Sequence, residues 1–223
     1  MPVSLPRNGN AQVAVVTGAH SFQVPPFYEV FRSLSNVDFY PQSLDEFTAD
    51  AELALSYDVV LFYNMHILQP SDELPWYQSG IFSTLERLGE NGQGICILHH
   101  ALAAFPNWPL WDEIVGMGNR GEIATHYDQQ IPLKVVDTQH PITAGISDWA
   151  LLDETYEMAS PREEDGNHLL LTTSHQPSMS GIAWTRTFRN SRVFCYQSGH
   201  DSDAFGDENF RRILSNAIQW LRI

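Results

Sequence analysis

Four short apolar runs constrain this chain most: residues 12–17, 57–63, 94–98 and 192–197. Each is too short for a buried helix and reads as a buried strand. Helix signals lie between them. Pro25-Pro26 opens a helix through Ser33, in keeping with proline's tolerance in a first helical turn. Ile81, Phe82, Leu85 and Leu88 have helical spacing before a Gly89-Glu90-Asn91-Gly92 stop. With a further strand at 37–40, this βαβ rhythm predicts a three-layer α/β fold, helices covering both faces of a mainly parallel sheet.

The second half is less regular. Residues 131–136 and 168–173 read as strands, 154–158 as a shorter candidate, and 181–187 and 192–197 as a hairpin turning at 188–191. Residues 207–221 close the chain as an amphipathic helix whose stripe is Phe210, Ile213, Leu214, Ala217, Ile218 and Leu221. The organisation expected is a flexible tail at 1–10 and a single domain at 11–223, with an irregular insertion at about 103–165. A length of 223 residues suits one such domain with one sizeable core.

A formal net charge of −15 argues against nucleic acid or an anionic membrane surface as partner. No apolar run approaches the roughly 18 residues of a membrane-spanning helix. The first ten residues lack a basic stretch followed by an apolar one, so no signal peptide is expected and the cytoplasm is the default location. Cys96 and Cys195 sit inside strand-like runs without CxxC spacing, and read as buried small hydrophobes.

Histidines follow three of the strands: His20 after the first, His99-His100 after 94–98, and His200 after 192–197. In an open parallel sheet the crevice beyond the carboxyl ends of the strands is where ligands bind. Imidazole can be a neutral metal ligand, a general base or a general acid near neutral pH. Two adjacent histidines at a strand end cannot both face the core. A helix starting there would favour neutral imidazole through the partial positive charge of its amino terminus. Which of His99 and His100 faces the crevice is left open by alternation.

Around these, Asp201 is placed to orient an imidazole or bind a metal, and His126 lies where the irregular region could fold over the site. Glu154 and Tyr156, in Asp153-Glu154-Thr155-Tyr156, suit acid/base chemistry or sugar hydroxyls. Trp184, like Trp108 and Trp111, could stack on a sugar face, although core packing is the commoner use of tryptophan. No GxGxxG follows the first strand, and GxxxxGK[ST], HExxH and GxSxG are missing, which argues against a nucleotide cofactor and against two familiar hydrolase sites.

Six motifs occur in a telling order: Val16-Thr17-Gly18-Ala19-His20, Leu98-His99-His100-Ala101, His140-Pro141-Ile142, Asp153-Glu154-Thr155-Tyr156, Ala183-Trp184-Thr185-Arg186 and Gly199-His200-Asp201. Over roughly residues 12 to 221 the chain resembles the trehalose-utilisation (ThuA-like) family, with Ala19 standing where a second glycine is expected. The resemblance implies a flavodoxin-like fold of the class I glutamine amidotransferase type. In those enzymes a cysteine nucleophile stands on the turn after a central strand; here His99 or His100 occupies the turn, and Cys96 falls three residues too early. Without a thiolate the acyl-enzyme route from glutamine is closed.

The resemblance further implies an enzyme acting on a sugar or 3-keto-glycoside, by isomerisation or glycosidic cleavage. His20, His99, His100, His200 and Asp201 are the candidate catalytic residues, and His126, Glu154, Tyr156 and Trp184 the candidate substrate contacts. The four histidines His20, His99, His100 and His200 are also candidate ligands of one divalent metal, zinc or manganese. A homodimer or larger homo-oligomer is implied as well. The competing expectation is a non-catalytic sugar-binding or regulatory module on an enzyme-derived fold.

Overall fold

A computed structural model describes residues 5, 8–71 and 80–222. The expected tail at 1–10 falls largely outside them. Among the described residues one nine-stranded sheet is formed, in the order β2-β1-β3-β4-β9-β8-β7-β5-β6. Five strands form its parallel half: β1 (Ala11–Gly18), β2 (Val37–Ser43), β3 (Val59–Asn64), β4 (Gly94–Leu98) and β9 (Ser191–Tyr196). Their side chains alternate between two apolar cores. Val13, Val15, Leu61, Cys96 and Phe194 join one, and Ala14, Val16, Phe62, Ile97 and Cys195 the other. Both sheet faces are therefore buried, which is why these strands are continuous apolar runs and not alternating ones.

Helices α1 (Val24–Ser33) and α7 (Glu208–Leu221) contribute to the first core, α7 through the stripe expected from its sequence. The second core is closed by α2 (Leu44–Thr48), α3 (Ala51–Ala54), α4 (Gly80–Glu86) and α5 (Pro109–Val115). Pro41 is tolerated in β2 because that strand is the sheet edge. Cys96 and Cys195 are buried, free and on opposite faces, as small hydrophobes would be.

Two expectations need correction. No α-helix follows His99-His100; the chain makes a 3₁₀ turn, His99–Ala103, before α5. The region 103–165 is also more ordered than its sequence reads. It holds α5 and two long antiparallel strands, β5 (Ala124–Val135) and β6 (Trp149–Glu157), which pair along most of their length. The first half of β5 is exposed and polar on both faces, and a bulge between His126 and Gln129 breaks its alternation. No period-2 hydrophobic signal could therefore mark it. Strands β7 (His168–Thr172) and β8 (Gly181–Phe188) join this arm to β9. The short α6 (Ser202–Gly206) then packs on α1 and β6.

Candidate functional site

The parallel half brings His99 to the carboxyl edge on the turn after β4. His99 has φ +52, a left-handed conformation that costs a non-glycine residue of order 1–3 kcal/mol. The turn points its fully buried ring toward β9 and β6. Its Nδ1 lies 2.7 Å from the Gln197 carbonyl and donates to it, which leaves Nε2 facing the cluster. Around Nε2 stand the Glu154 carboxylate oxygen Oε2 at 3.0 Å, the Tyr156 hydroxyl at 3.0 Å and His200 Nδ1 at 3.3 Å. The same Glu154 oxygen is 3.0 Å from His200 Nδ1. Three potential ligand atoms, two imidazole and one carboxylate, thus converge.

Electrostatics follow from that packing. Burial would push the Glu154 carboxyl up, but hydrogen bonds from His200 and His99 outweigh it and hold the group at about 2. Its bond to Glu154 in turn raises the His200 pKa. Burial pushes the Tyr156 phenol well above its ordinary value, so it remains a neutral donor toward His99. His200 is the member that faces outward, its side chain 26% exposed against none for His99. The Tyr127 ring covers it at 5.2 Å. Asp128, Asp201 and Asp203 line the narrow cleft beside Glu154 and His200 and give it an acidic mouth.

Asp153 ties the two halves of the sheet together at this point, and Tyr63 ties β3 to the turn after β9. Buried Asp153 accepts hydrogen bonds from the amides of Glu154, Gly199 and His200, at 2.8–3.0 Å. The Tyr63 hydroxyl donates to the Gly199 carbonyl at 2.8 Å. Gly199 has φ +117, and a Cβ there would come within 3.1 Å of the Phe210 ring. Only glycine fits the turn that presents His200. The fully buried Arg120 acts behind the site. Its guanidinium donates to the carbonyls of Leu102, Ala104 and Phe105 and pairs with Asp112, clamping the chain that leaves the His99 turn.

The other sequence candidates are placed as follows. His100 points away from Glu154: its Nε2 donates to the Tyr63 carbonyl at 3.1 Å, and its ring packs on Tyr63. Burial, then the neighbouring imidazoles, drives its pKa down to about 2, so the neutral form comes from desolvation and not from a helix dipole. His20 is exposed at the lip, its ring tilted against that of His100 with centroids 4.3 Å apart, and partial burial lowers its pKa. Asp201 caps α6 by accepting from the Asp203 amide, and Glu154 takes the orienting role that its position suggested. His126 sits out on β5 beside Glu157, 3.3 Å away. Trp184 is fully buried and donates its indole N–H to the Val115 carbonyl, which leaves no face for a sugar.

Of the four histidines expected around a metal, the structure therefore gathers His99 and His200 and adds Glu154. Asp153, Tyr63 and Arg120 were not singled out by sequence. Only Asp153 carried a signal there, as the neighbour of Glu154 in a quoted motif.

A sheet parallel in one half and antiparallel in the other, with its cluster at the carboxyl ends of the parallel strands, defines a protein of the glutamine amidotransferase-like fold class. The profile of the trehalose-utilisation family, ThuA, matches residues 12–221, and the chain belongs to that family. A ThuA-like protein from Bacteroides uniformis shares the fold with TM-score 0.73 at 19% identity, over 99% of this chain and 95% of that one. A cytoplasmic protein from Salmonella typhimurium does so with TM-score 0.70 at 14% identity, covering 93% and 98%. A glutamine amidotransferase from Thermotoga maritima matches with TM-score 0.50 at 9% identity, covering 85% and 76%. None of the curated proteins is a detectable match to the chain. Family membership points to a role in sugar metabolism. Among the described residues no helix is long and apolar enough to cross a membrane.

Proposed function

We propose that this chain is a cytoplasmic enzyme that moves a proton on a neutral keto-sugar, a 3-keto-glycoside, with a divalent metal held by His99, Glu154 and His200. The observation that carries the reading is the convergence of His99 Nε2, Glu154 Oε2 and His200 Nδ1 at 3.0–3.3 Å from one another. Two histidines and a carboxylate are a donor set that zinc accepts, and ligands about 2.1 Å from a shared ion stand roughly 3.0–3.4 Å apart. The Gln197 carbonyl fixes His99 in the tautomer whose Nε2 is free to ligate. When bound, such an ion supplies Lewis-acid polarisation of a ketone oxygen.

The chain's own residues handle the proton. With His200 Nδ1 used as a ligand, exposed His20 is the imidazole left at the crevice, and its lowered pKa keeps it unprotonated near neutral pH. A ketone at C3 acidifies the C2–H bond. His20 takes that proton and the electron pair enters a C2–C3 enolate. Return of the proton to C3, with the C2 hydroxyl proton passing to the C3 oxygen, gives the 2-keto isomer. Alternatively the C1–O glycosidic bond breaks, and the departing oxygen takes the proton back from His20. The acidic mouth formed by Asp128, Asp201 and Asp203 favours a neutral sugar over a phosphorylated one. Salmonella relatives of this fold are described as cytoplasmic, which supports the location proposed.

Deuterium exchange at C2 of a 3-keto-glucoside, followed by proton NMR in D₂O, tests the reading. Exchange is expected with the unmodified protein. It should fall at least about 100-fold in His20→Ala and His200→Ala and persist in His126→Ala. Folded His99→Ala and His200→Ala variants that match the parent would overturn the proposal.

A further inference from the structure

One well-formed crevice does not lie at the histidines. It has a volume of about 430 Å³, and it opens where β5 stops pairing with β6 at Leu133 and begins pairing with β7 at Lys134. That fork is at the first residue of β6, Trp149, five residues before Glu154. At about 3.3 Å per residue it stands roughly 16 Å from the cluster. Its volume falls in the range of roughly 300–1,000 Å³ typical of small-molecule sites.

The lining is unlike that of a random surface hollow. Lys134 is the chain's only lysine, and among the described residues it forms no hydrogen bond or ion pair. Opposite in charge, Asp148 spends Oδ1 on the Val135 amide and keeps Oδ2 free among the described residues. The Thr172 and Ser174 hydroxyls likewise have no partner there, whereas Thr173 is engaged with the Pro132 carbonyl. The Trp149 indole N–H is shielded from solvent and has no acceptor among the described residues. An unmet buried donor is costly, and a small movement of the ring onto a ligand oxygen would relieve it. Donors and acceptors are thus both unengaged, one positive charge offsets one negative, and an indole supplies an apolar face.

We propose that this fork is a second ligand site, separate from the histidine cluster, that takes a neutral di- or oligosaccharide. A sugar ring offers hydroxyls that both donate and accept around its rim and C–H bonds on its face, which is the complement of this lining. An anion would meet Asp148, and a cation would meet Lys134. The site does not depend on the reaction proposed for the cluster.

The test is a titration of the ¹⁵N-labelled full chain with maltose and with trehalose, following the Trp149 indole N–H signal, assigned with Trp149→Phe. The signal should move downfield and saturate in the millimolar range. Lys134→Ala should weaken the binding about five-fold, the worth of one hydrogen bond. Ser174→Tyr, which fills the crevice from an exposed position, should abolish the shift, and His200→Ala should leave it unchanged. No movement with either sugar up to about 50 mM overturns the proposal, as do a shift that survives Ser174→Tyr and one lost in His200→Ala.

Discussion

The two halves of the sheet differ in how they are built and in what they give the site. In the parallel half, strands are buried on both faces and end in turns that deliver His20, His99 and His200. In the antiparallel half, β5 and β6 extend as a ladder with one exposed, polar stretch, and β6 delivers Asp153, Glu154 and Tyr156. The cluster exists only where the halves meet. Its imidazoles come from one, and the carboxylate and phenol that make them a centre come from the other. Asp153, bonded to the amides of Gly199 and His200, is the stitch between them.

The largest effect should come from cutting the tie between the His99 turn and the insertion. Arg120→Met leaves three buried carbonyls without their donor and should cost about 3–4 kcal/mol, read as a lowered urea midpoint at unchanged slope. A loss under about 1 kcal/mol would show that the turn stands without its clamp.

Acid should expose the parallel half first. His100 is buried neutral with its pKa near 2, while in the unfolded chain it titrates at its ordinary value of 6.5. Between those values the unfolded state binds the extra proton, so stability falls as pH drops below 6.5. The loss should reach about 3 kcal/mol by pH 4.5, with a slope near 1.4 kcal/mol per unit. Glu154 adds its own loss below its ordinary 4.5, because its folded value of about 2 is depressed. Urea unfolding at a series of pH values checks this: His100→Gln should flatten the upper window and Glu154→Gln the lower. A parent with level stability from pH 7 to 5 would contradict the sign.

Asp153→Ala, which removes the stitch, should cost about 2–3 kcal/mol, because it orphans buried amides. Asp201→Ala, next door, removes only a helix cap and should cost about 1 kcal/mol. Equal costs would mean that the two carboxylates do the same job. Smallest of all, Ala19→Gly should stabilise by about 0.5–1 kcal/mol in thermal unfolding, since Ala19 is held at φ +58. Destabilisation would show that its methyl contributes packing.

The same contrast sets how far the sequence could be read. The strands of the parallel half and α7 were legible because burial on both faces, or on one helical stripe, leaves a periodic apolar record. His20, His99 and His200 were legible as strand-end residues. Glu154 and Tyr156 were visible only as members of a short polar motif. Their place opposite His99 depends on a pairing of β5 and β6 whose polar, bulged first half carries no such record. The orientation of His99 rests on the Gln197 carbonyl, a contact 98 residues distant in sequence. The burial of Trp184 and the capping role of Asp201 likewise come from tertiary packing and the following helix, which residue type alone does not reveal.

One measurement tests the central claim, that residues from both halves form one metal centre: zinc and manganese stoichiometry by plasma mass spectrometry. The protein should be tag-free, purified without chelator and equilibrated with each ion. The account expects about one ion per chain, lost in His99→Ala, Glu154→Ala and His200→Ala and retained in His20→Ala, His126→Ala and Asp201→Ala. An ion that survives Glu154→Ala, or that leaves with His20→Ala, would contradict it, as would a parent chain that takes up neither metal.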